Sequence, residues 1–266
     1  MPPADADDGP DRDPSVLIQL SDLHLETGEA WTGPASRLAR IIRRIQELEP
    51  SPLGVLVSGD LADVPSPEVY EQAHSMIATL GVPIHAIPGN HDDRDMLRAR
   101  FGPPSSVAGA PVRLAADCGD LRLLACDSTE PGNEAGRLGD EQLQWLDAAL
   151  AVEPERPTLL AMHHPPVQTG IRVMDAIGLD AGDSARLEEL LAAHPQVSAV
   201  VCGHVHTTMT TAFAGRPLLI CPSTNSTVSL DLRARDDLQF AFSKQPPGFA
   251  VHTLVGGRLV SHVQPI

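Results

Sequence analysis

The 266-residue chain is short of aromatic residues, of lysine and of long apolar runs. Aromatic residues make up 3% of it, the single tyrosine is Tyr70, and the single lysine is Lys244. No apolar run approaches the ~20 residues that a membrane-spanning helix needs. The net charge of −16 argues against nucleic acid and anionic lipid as partners, because both are bound by neutralising phosphates with Lys and Arg. A small substrate is therefore favoured.

Cysteine is also scarce, and its spacing gives no paired motif. The four cysteines lack a CxxC spacing, and three lie inside apolar, strand-like runs: Cys118, Cys126, Cys202 and Cys221. Buried free thiols are favoured over zinc ligands or disulfides. Residues 1–14 are acidic and proline-rich without an apolar segment, which predicts a disordered tail rather than a signal peptide. Residues 15–266 are predicted to form one domain, and the whole pattern indicates a cytoplasmic protein.

Six apolar runs of strand length alternate with helical patterns: 16–20, 53–57, 83–87, 121–126, 158–162 and 197–202. Apolar stripes at helical spacing lie over 38–48 and 143–150. Alternating strands and helices predict an α/β fold with mostly parallel pairing and helices on the sheet faces. Beyond residue 207, the glycines at 215 and at 256–257 predict two hairpins that close a second sheet.

Five polar segments follow these strands, and ligands collect at the carboxyl ends of strands in such sheets. They are Asp22-Leu23-His24, Gly59-Asp60, Gly89-Asn90-His91-Asp92, His163-His164-Pro165-Pro166 and Gly203-His204-Val205-His206. Carboxylate oxygens and neutral imidazole nitrogens together suit Mn, Fe or Zn better than Ca or Mg alone. A single Asp or His beside a glycine is more often a turn or a satisfied polar group. The ordered series instead indicates a site for a pair of divalent metal ions.

The spacing inside the segments has a physical interpretation. Residues at i and i+2 of an extended chain point to the same side, so Asp22 with His24, and His204 with His206, are expected to face one point. Glycine before Asp60, Asn90 and His204 is expected to permit a tight backbone path over the strand end.

In this order, the segments resemble the calcineurin-like metallophosphoesterase superfamily, with its series D-x-H, GD, GNH[DE], H and GHxH. The GNHD and HHPP segments are similar to the bacterial class III cyclic nucleotide phosphodiesterases. The resemblance implies a four-layer αββα sandwich of two mixed sheets flanked by helices. It implies two divalent metal ions, Mn and/or Fe foremost and Zn as an alternative. The oligomeric state stays open, with a homodimer as one option because relatives are often dimers. One ion would be held by Asp22, His24, Asp60 and His206, and the other by Asp60, Asn90, His163 and His204.

Two residues beside the ligands are assigned catalytic roles. His91 follows Asn90 by one residue and is expected to face the substrate, where it stabilises charge or protonates the leaving oxygen. Asp92 is expected to orient the His91 imidazole. Only one of the adjacent His163 and His164 can point at the metal; His163 directly follows the strand, as the family ligand does, and His164 is expected to support it.

Three functions follow from the resemblance. The first is hydrolysis of a 3′,5′-cyclic nucleotide, cyclic AMP foremost, to the 5′-monophosphate. The second is hydrolysis of other small phosphodiesters, such as 2′,3′-cyclic nucleotides or glycerophosphodiesters. The third is a protein-binding scaffold without turnover, which is disfavoured because scaffold members typically lose motif residues and none is missing here.

Two further segments have open interpretations. Three arginines share one face of the first predicted helix, near Glu47, and a solvated face is favoured over an anion site: Arg37, Arg40 and Arg44. The segment 223–248 has mixed polarity and no sustained period. A loop of this length in a compact domain is uncommon without a function, so a lid or a dimer contact is considered. Phe240 and Phe242 are hypothesised to form an oligomer contact or a wall for the substrate base.

Overall fold

The computed structural model describes residues 13–27, 33–102, 107–233 and 241–266. The strands in these ranges are β1 Ser15–Leu20, β2 Gly54–Ser58, β3 Ile84–Ile87, β4 Arg113–Cys118, β5 Leu121–Cys126, β6 Thr158–Ala161, β7 Val197–Cys202, β8 Met209–Phe213, β9 Arg216–Ile220, β10 Gly248–Val255 and β11 Arg258–Pro265. The α-helices are α1 Pro34–Gln46, α2 Pro67–Ile77, α3 Arg94–Phe101, α4 Gly139–Val152, α5 Arg172–Ala176 and α6 Ala181–Ala192.

The strands form two mixed sheets. The first has the order β11-β10-β1-β2-β3 and the second the order β4-β5-β6-β7-β9-β8. Neighbours are parallel from β1 to β3 and from β5 through β6 and β7 to β9, while β4, β8, β10 and β11 pair antiparallel. All six predicted strands are present, and the predicted α/β class is confirmed.

Three apolar layers separate the sheets and the helices. Residues of the first sheet pack against α1, α2 and α3, as Ile18 does with Leu38 and Tyr70 in one buried cluster. A second cluster fills the space between the two sheets, and a third joins the second sheet to α4, α5 and α6. The order helix, sheet, sheet, helix is the predicted four-layer αββα sandwich.

The two predicted amphipathic helices are also confirmed. The stripe over 38–48 buries Leu38, Ile41, Ile42 and Ile45 in α1, which begins with Pro34 in its first turn. In α4, which begins at Gly139, the buried residues include Leu143, Leu146 and Leu150. Helical spacing places these side chains on one face, and the sheet beneath covers that face.

The prediction for the two C-terminal hairpins is half wrong. The hairpin of β8 and β9 does join the second sheet, but that of β10 and β11 extends the first, because β10 pairs with β1 from Ser15↔Leu254 to Gln19↔Ala250. The predicted tail lies outside the described residues up to residue 12, and so does Phe240. Within the described ranges, no helix is both long and apolar enough to cross a membrane.

A network of buried, hydrogen-bonded side chains links the two sheets behind the strand ends. The Gln19 amide on β1 donates to Ser58 Oγ at 2.8 Å and to the Cys202 carbonyl on β7 at 3.1 Å. Its oxygen must therefore accept from His252 Nε2, at 3.0 Å, and His252 Nδ1 lies 2.8 Å from Ser261 Oγ, which can donate to a neutral ring. Gln19 thus ties β1 to β7, and a neutral His252 satisfies both of its contacts.

This network predicts a pH dependence of stability. Burial, and then the charge of His262, lowers the pKa of His252 to about 4, whereas an unfolded histidine titrates near ~6.5. As pH falls from 6.5 to 4 the unfolded chain takes up a proton that the folded chain does not, so stability is lost in that window. The loss is roughly 3 kcal/mol for a shift of this size.

We expect His252→Gln to remove that part of the pH dependence, measured by urea unfolding between pH 7 and pH 4. His262→Gln, at an exposed position of the neighbouring strand, is the matched control and should keep most of the pH dependence. An unchanged slope in the His252 variant would contradict the assignment.

Candidate metal centre

The seven predicted ligands come from the carboxyl ends of strands in both sheets. Asp22, Asp60 and Asn90 follow β1, β2 and β3 of the first sheet, and His163 and the segment His204 to His206 follow β6 and β7 of the second. Because the sheets pack face to face, these ends meet along one edge of the sandwich. The structure brings all seven side chains together there.

One group of ligand atoms belongs to Asp22, His24, Asp60 and His206, and all lie within 4.8 Å of one another. The Nε2 atoms of His24 and His206 are 3.0 Å apart. His206 Nε2 lies 3.4 Å from Asp22 Oδ1, and His24 Nε2 lies 3.5 Å from Asp60 Oδ2. Lone pairs that converge in this way fit a bound cation.

A second group lies on the other side of Asp60. His163 Nε2 is 3.4 Å from Asp60 Oδ2 and 3.1 Å from Asn90 Oδ1, and His204 Nδ1 is also 3.1 Å from Asn90 Oδ1. The Nε2 atom of His204 is buried without a hydrogen-bond partner in the described residues. An unpartnered buried nitrogen is costly in a protein interior, so His204 still has a ring nitrogen that a bound ligand could satisfy.

Electrostatics couple the two groups through Asp60 and His163. Burial disfavours charge on both side chains, but each stabilises the charge of the other. The pKa of Asp60 lies well below its usual range, and that of His163 rises to about 9. In the metal-free chain the two therefore form an ion pair, and a divalent cation would replace the proton of His163.

The backbone at the ligands is left-handed, which the sequence did not indicate. Asp22, His24, Asp60, His204 and His206 have φ between 44° and 71°, a region that side chains with a Cβ rarely occupy. The expectation of an extended chain at the two i, i+2 pairs is therefore wrong. Each of these segments turns back over the end of its strand. Backbone hydrogen bonds stabilise the turns, for example from Asp22 N to Gly59 O and from His24 N to Asp60 O, both 3.0 Å.

Glycine is required for different reasons at the three positions that precede candidate ligands. Gly59 has φ of 104°, as the predicted tight turn requires, and a Cβ there would also collide with His163. Gly89 and Gly203 do not have a left-handed φ. A Cβ on Gly203 would lie 2.9 Å from Asp22 Oδ2, and one on Gly89 would lie 2.5 Å from the Asp60 nitrogen. At these two positions the glycine allows close packing of the ligand segments.

The adjacent His163 and His164 point in different directions. The His163 ring directs Nε2 at Asp60 and Asn90 while Nδ1 contacts the Ser58 carbonyl at 2.9 Å. His164 bonds Ser128 Oγ through Nδ1 and the Glu134 carbonyl through Nε2, at 2.9 and 3.1 Å. Burial and then the charge of His163 lower the pKa of His164 to about 3, so it stays neutral.

His91 lines the cavity beside the ligands, but Asp92 does not contact its ring. The Asp92 carboxylate accepts from the amides of Leu61, Ala62 and Gly89 and from the Tyr70 hydroxyl, at 3.0 to 3.2 Å. His91 Nδ1 instead lies 3.1 Å from the Asp63 carbonyl. The prediction that Asp92 orients His91 is therefore wrong, because the turn directs the Asp92 side chain back under the GD segment.

A cavity of about 320 Å³ opens over the two groups. Its polar side includes His24, His91, His204 and His206, with Asp63, Glu134, Asn225 and Ser226 around them. Its apolar wall comes from Met174 and Ile177 of the α5 region and from Val228 and Phe242. Val228 and Phe242 form an antiparallel bridge, with Ser243 N bonded to Thr227 O at 2.8 Å.

Four residues that line the cavity were not predicted from the sequence: Met174, Ile177, Val228 and Asn225. They lie outside the motifs, in segments where no periodicity marks which side chains face inward. The nearest signal was the hypothesis that Phe242 forms a wall, which agrees with its position in the cavity.

The chain is similar to known proteins in both sequence and fold. The family model described as calcineurin-like phosphoesterase matches residues 16–208. A probable glycerophosphodiester phosphodiesterase of Arcobacter nitrofigilis is 33% identical over 89% of this chain and 88% of its own. A probable cyclic nucleotide phosphodiesterase of a Synechococcus strain is 38% identical over 78% and 80%. A dimetal phosphatase from Danio rerio has the same fold, with a TM-score of 0.68 and 16% identity over 95% of this chain and 97% of that one. These matches and the clustered ligands agree: the chain is a metal-dependent phosphoesterase and belongs to the calcineurin-like phosphoesterase family.

Proposed function

We propose that the protein hydrolyses 3′,5′-cyclic nucleotides, cyclic AMP foremost, to 5′-monophosphates at a centre of two divalent metal ions. Mn and/or Fe are the first choice and Zn the alternative, because the donors mix carboxylate oxygen with imidazole nitrogen. The observation that carries the choice of substrate is the apolar wall beside the ligand groups.

The ligand assignment rests on the two groups of converging side chains. Asp22, His24, Asp60 and His206 would hold one ion, and Asp60, Asn90, His163 and His204 the other. Ions at these positions would withdraw charge from the phosphodiester and lower the pKa of the water molecule that attacks phosphorus. Asp60 lies between the groups and is proposed to serve both.

His91 is proposed as the group that donates a proton to the leaving oxygen. Its Nδ1 faces a carbonyl, which can only accept, so Nδ1 carries a proton and Nε2 is left for the substrate. Burial lowers the pKa of His91, but the carboxylate of Asp60, the carbonyl of Asp63 and the Asp63 carboxylate outweigh it, so before any ion is bound the pKa is raised overall. A ring protonated at both nitrogens can act as the acid.

The wall favours a substrate with a flat apolar group. Met174, Ile177, Val228 and Phe242 are the apolar residues that line the cavity, and five of the candidate ligands line it as well: His24, Asp60, Asn90, His204 and His206. A nucleobase on this wall would remove apolar surface from water, which stabilises the complex. A glycerol group would leave the same surface uncovered.

Glycerophosphodiesters remain the second candidate. The name of the Arcobacter relative supports them, and the carboxylates of Asp63 and Glu134 at the cavity can accept hydrogen bonds from a polyol. Both candidates would use the same ligands and the same acid, so the leaving-group side of the cavity decides between them.

The first test compares substrates with purified protein and added Mn²⁺. Cyclic AMP, 2′,3′-cyclic AMP, glycerophosphoethanolamine and bis(p-nitrophenyl) phosphate are ranked by kcat/KM. We expect cyclic AMP to rank first among the natural diesters. A higher value for glycerophosphoethanolamine would select the second candidate, and no turnover of any diester would revive the scaffold hypothesis.

The second test replaces His91 by alanine. We expect bound metal, measured by elemental analysis, to be retained and turnover to fall by about 10²–10⁴-fold, the usual contribution of a general acid. His163→Ala is the comparison variant and should lose metal as well. Unchanged turnover of a diester would remove His91 from the mechanism.

The third test replaces Phe242, whose side chain is 61% exposed and therefore tolerant of substitution, by serine. The KM for cyclic AMP should rise several-fold, because the base loses apolar contact. The KM for glycerophosphoethanolamine should change little. Equal effects on both substrates would argue against the wall as a base site.

We also propose that the protein acts in the cytoplasm as a homodimer. All four cysteines are buried and free, which suits a reducing compartment. Leu230 and Leu232 are exposed by 68% and 61% in the segment first considered as a dimer contact. Sedimentation equilibrium measures the oligomeric state directly.

A further inference from the structure

Arg37 is not part of a solvated helix face, although its spacing with Arg40 and Arg44 favoured one. Arg44 does bond Glu47, at 3.0 Å, on the exposed side of α1. Arg37 is half-buried, and its Nη1 donates to Asn225 Oδ1 at 2.8 Å across 188 residues of sequence. The contact joins α1 to the polar side of the cavity.

This hydrogen bond determines how the Asn225 amide is oriented. A guanidinium group only donates, so the atom that faces Arg37 must be the carbonyl oxygen of the side chain. The amide nitrogen, Nδ2, is then the end left for another partner. None of the described residues accepts a hydrogen bond from it, and Asn225 lines the 320 Å³ cavity.

The backbone of Asn225 is held in place by the ligand segments. The Asn225 backbone N–H donates to Ser223 Oγ at 2.9 Å, and Ser223 Oγ in turn donates to the Asp22 carbonyl at 2.7 Å. The next residue, Ser226, accepts from His206 Nδ1 through its carbonyl at 3.2 Å. The Nδ2 donor therefore has a fixed position relative to the Asp22 and His206 side of the centre.

The charges of the cavity explain why such a donor is useful. Among the described residues, no Lys or Arg lines the cavity, whereas three acidic residues line it: Asp60, Asp63 and Glu134. A cation placed directly among these carboxylates would pair with them. A neutral amide does not, and Arg37 behind it strengthens its hydrogen bond by polarisation.

We propose that Asn225 binds an oxygen of the phosphodiester substrate through Nδ2, and that Arg37 is a positioning residue that holds the amide in this orientation. The proposal rests on the proposed function, because it requires a diester in this cavity. It adds a contact that lies outside the metal-ligand segments and depends on a residue from the other end of the chain.

The test is a double-mutant cycle on the metal-loaded enzyme with cyclic AMP. Asn225→Ala should raise KM about tenfold with kcat changed less, the usual effect of removing one hydrogen bond to a charged group. Arg37→Met should raise KM by several-fold, and Arg37→Lys should restore part of the loss. In the Asn225→Ala background, Arg37→Met should have no further effect, because Arg37 acts through the amide.

Arg40→Met, one turn away on the exposed side of α1, is the matched control and should leave KM unchanged. Thermal melting and bound metal are measured for each variant, so that loss of folding is separated from loss of binding. An unchanged KM in a folded, metal-loaded Asn225→Ala variant would overturn the proposal. So would additive effects of the two substitutions. If wild-type enzyme turns over no diester, the proposed function itself fails.

Discussion

The close contact between Asp60 and His163 is the interaction on which the candidate site depends. It joins a side chain from the first sheet to one from the second, with 3.4 Å between Asp60 Oδ2 and His163 Nε2. Asp60 contacts members of both groups of candidate ligands. The apolar layer between the sheets sets their distance and, with the Gln19 network, keeps β1 and β7 in register with each other. Small shifts of one sheet against the other would therefore separate the ligands.

An acidic protein that acts on an anion needs local compensation. The chain has a net charge of −16, and the described residues that line the cavity include carboxylates but no Lys or Arg. Two divalent ions, as proposed, would nevertheless suit the centre to an anion, since their charge would exceed that of Asp22 and Asp60. The role proposed for Arg37 also adds positive charge near the cavity, and that charge acts through the neutral amide of Asn225.

Much of the fold could be predicted because its signals are local. Apolar runs predicted β1, β2, β3, β5, β6 and β7, and the helical stripes predicted α1 and α4, since each pattern matches the period of one element. The second hairpin was assigned to the wrong sheet because its partner, β1, lies more than two hundred residues away, and nothing in its own sequence encodes that pairing. The motif order predicted the seven candidate ligands for a different reason, the resemblance to a family.

Prediction of the site failed where side-chain direction depends on turns. Asp92 was expected to face His91 because it is adjacent in sequence, yet its carboxylate accepts from backbone amides and from the Tyr70 hydroxyl. The apolar wall combines Met174 with Val228 and Phe242 from a separate segment, and no short pattern connects them. Such contacts follow from the packing of the whole chain.

The division of the centre between two sheets also constrains how the gene can vary. The first sheet takes β1 to β3 from the N-terminal part of the chain, and the second takes β6 and β7 from beyond residue 157. Neither stretch carries a complete set of ligands. A crossover between homologous genes can fall between these two stretches. It would then combine β1 to β3 from one parent protein with β6 and β7 from the other, although these strand ends had not evolved together. Viable chimaeras should therefore be those whose crossover points lie outside residues 22–206.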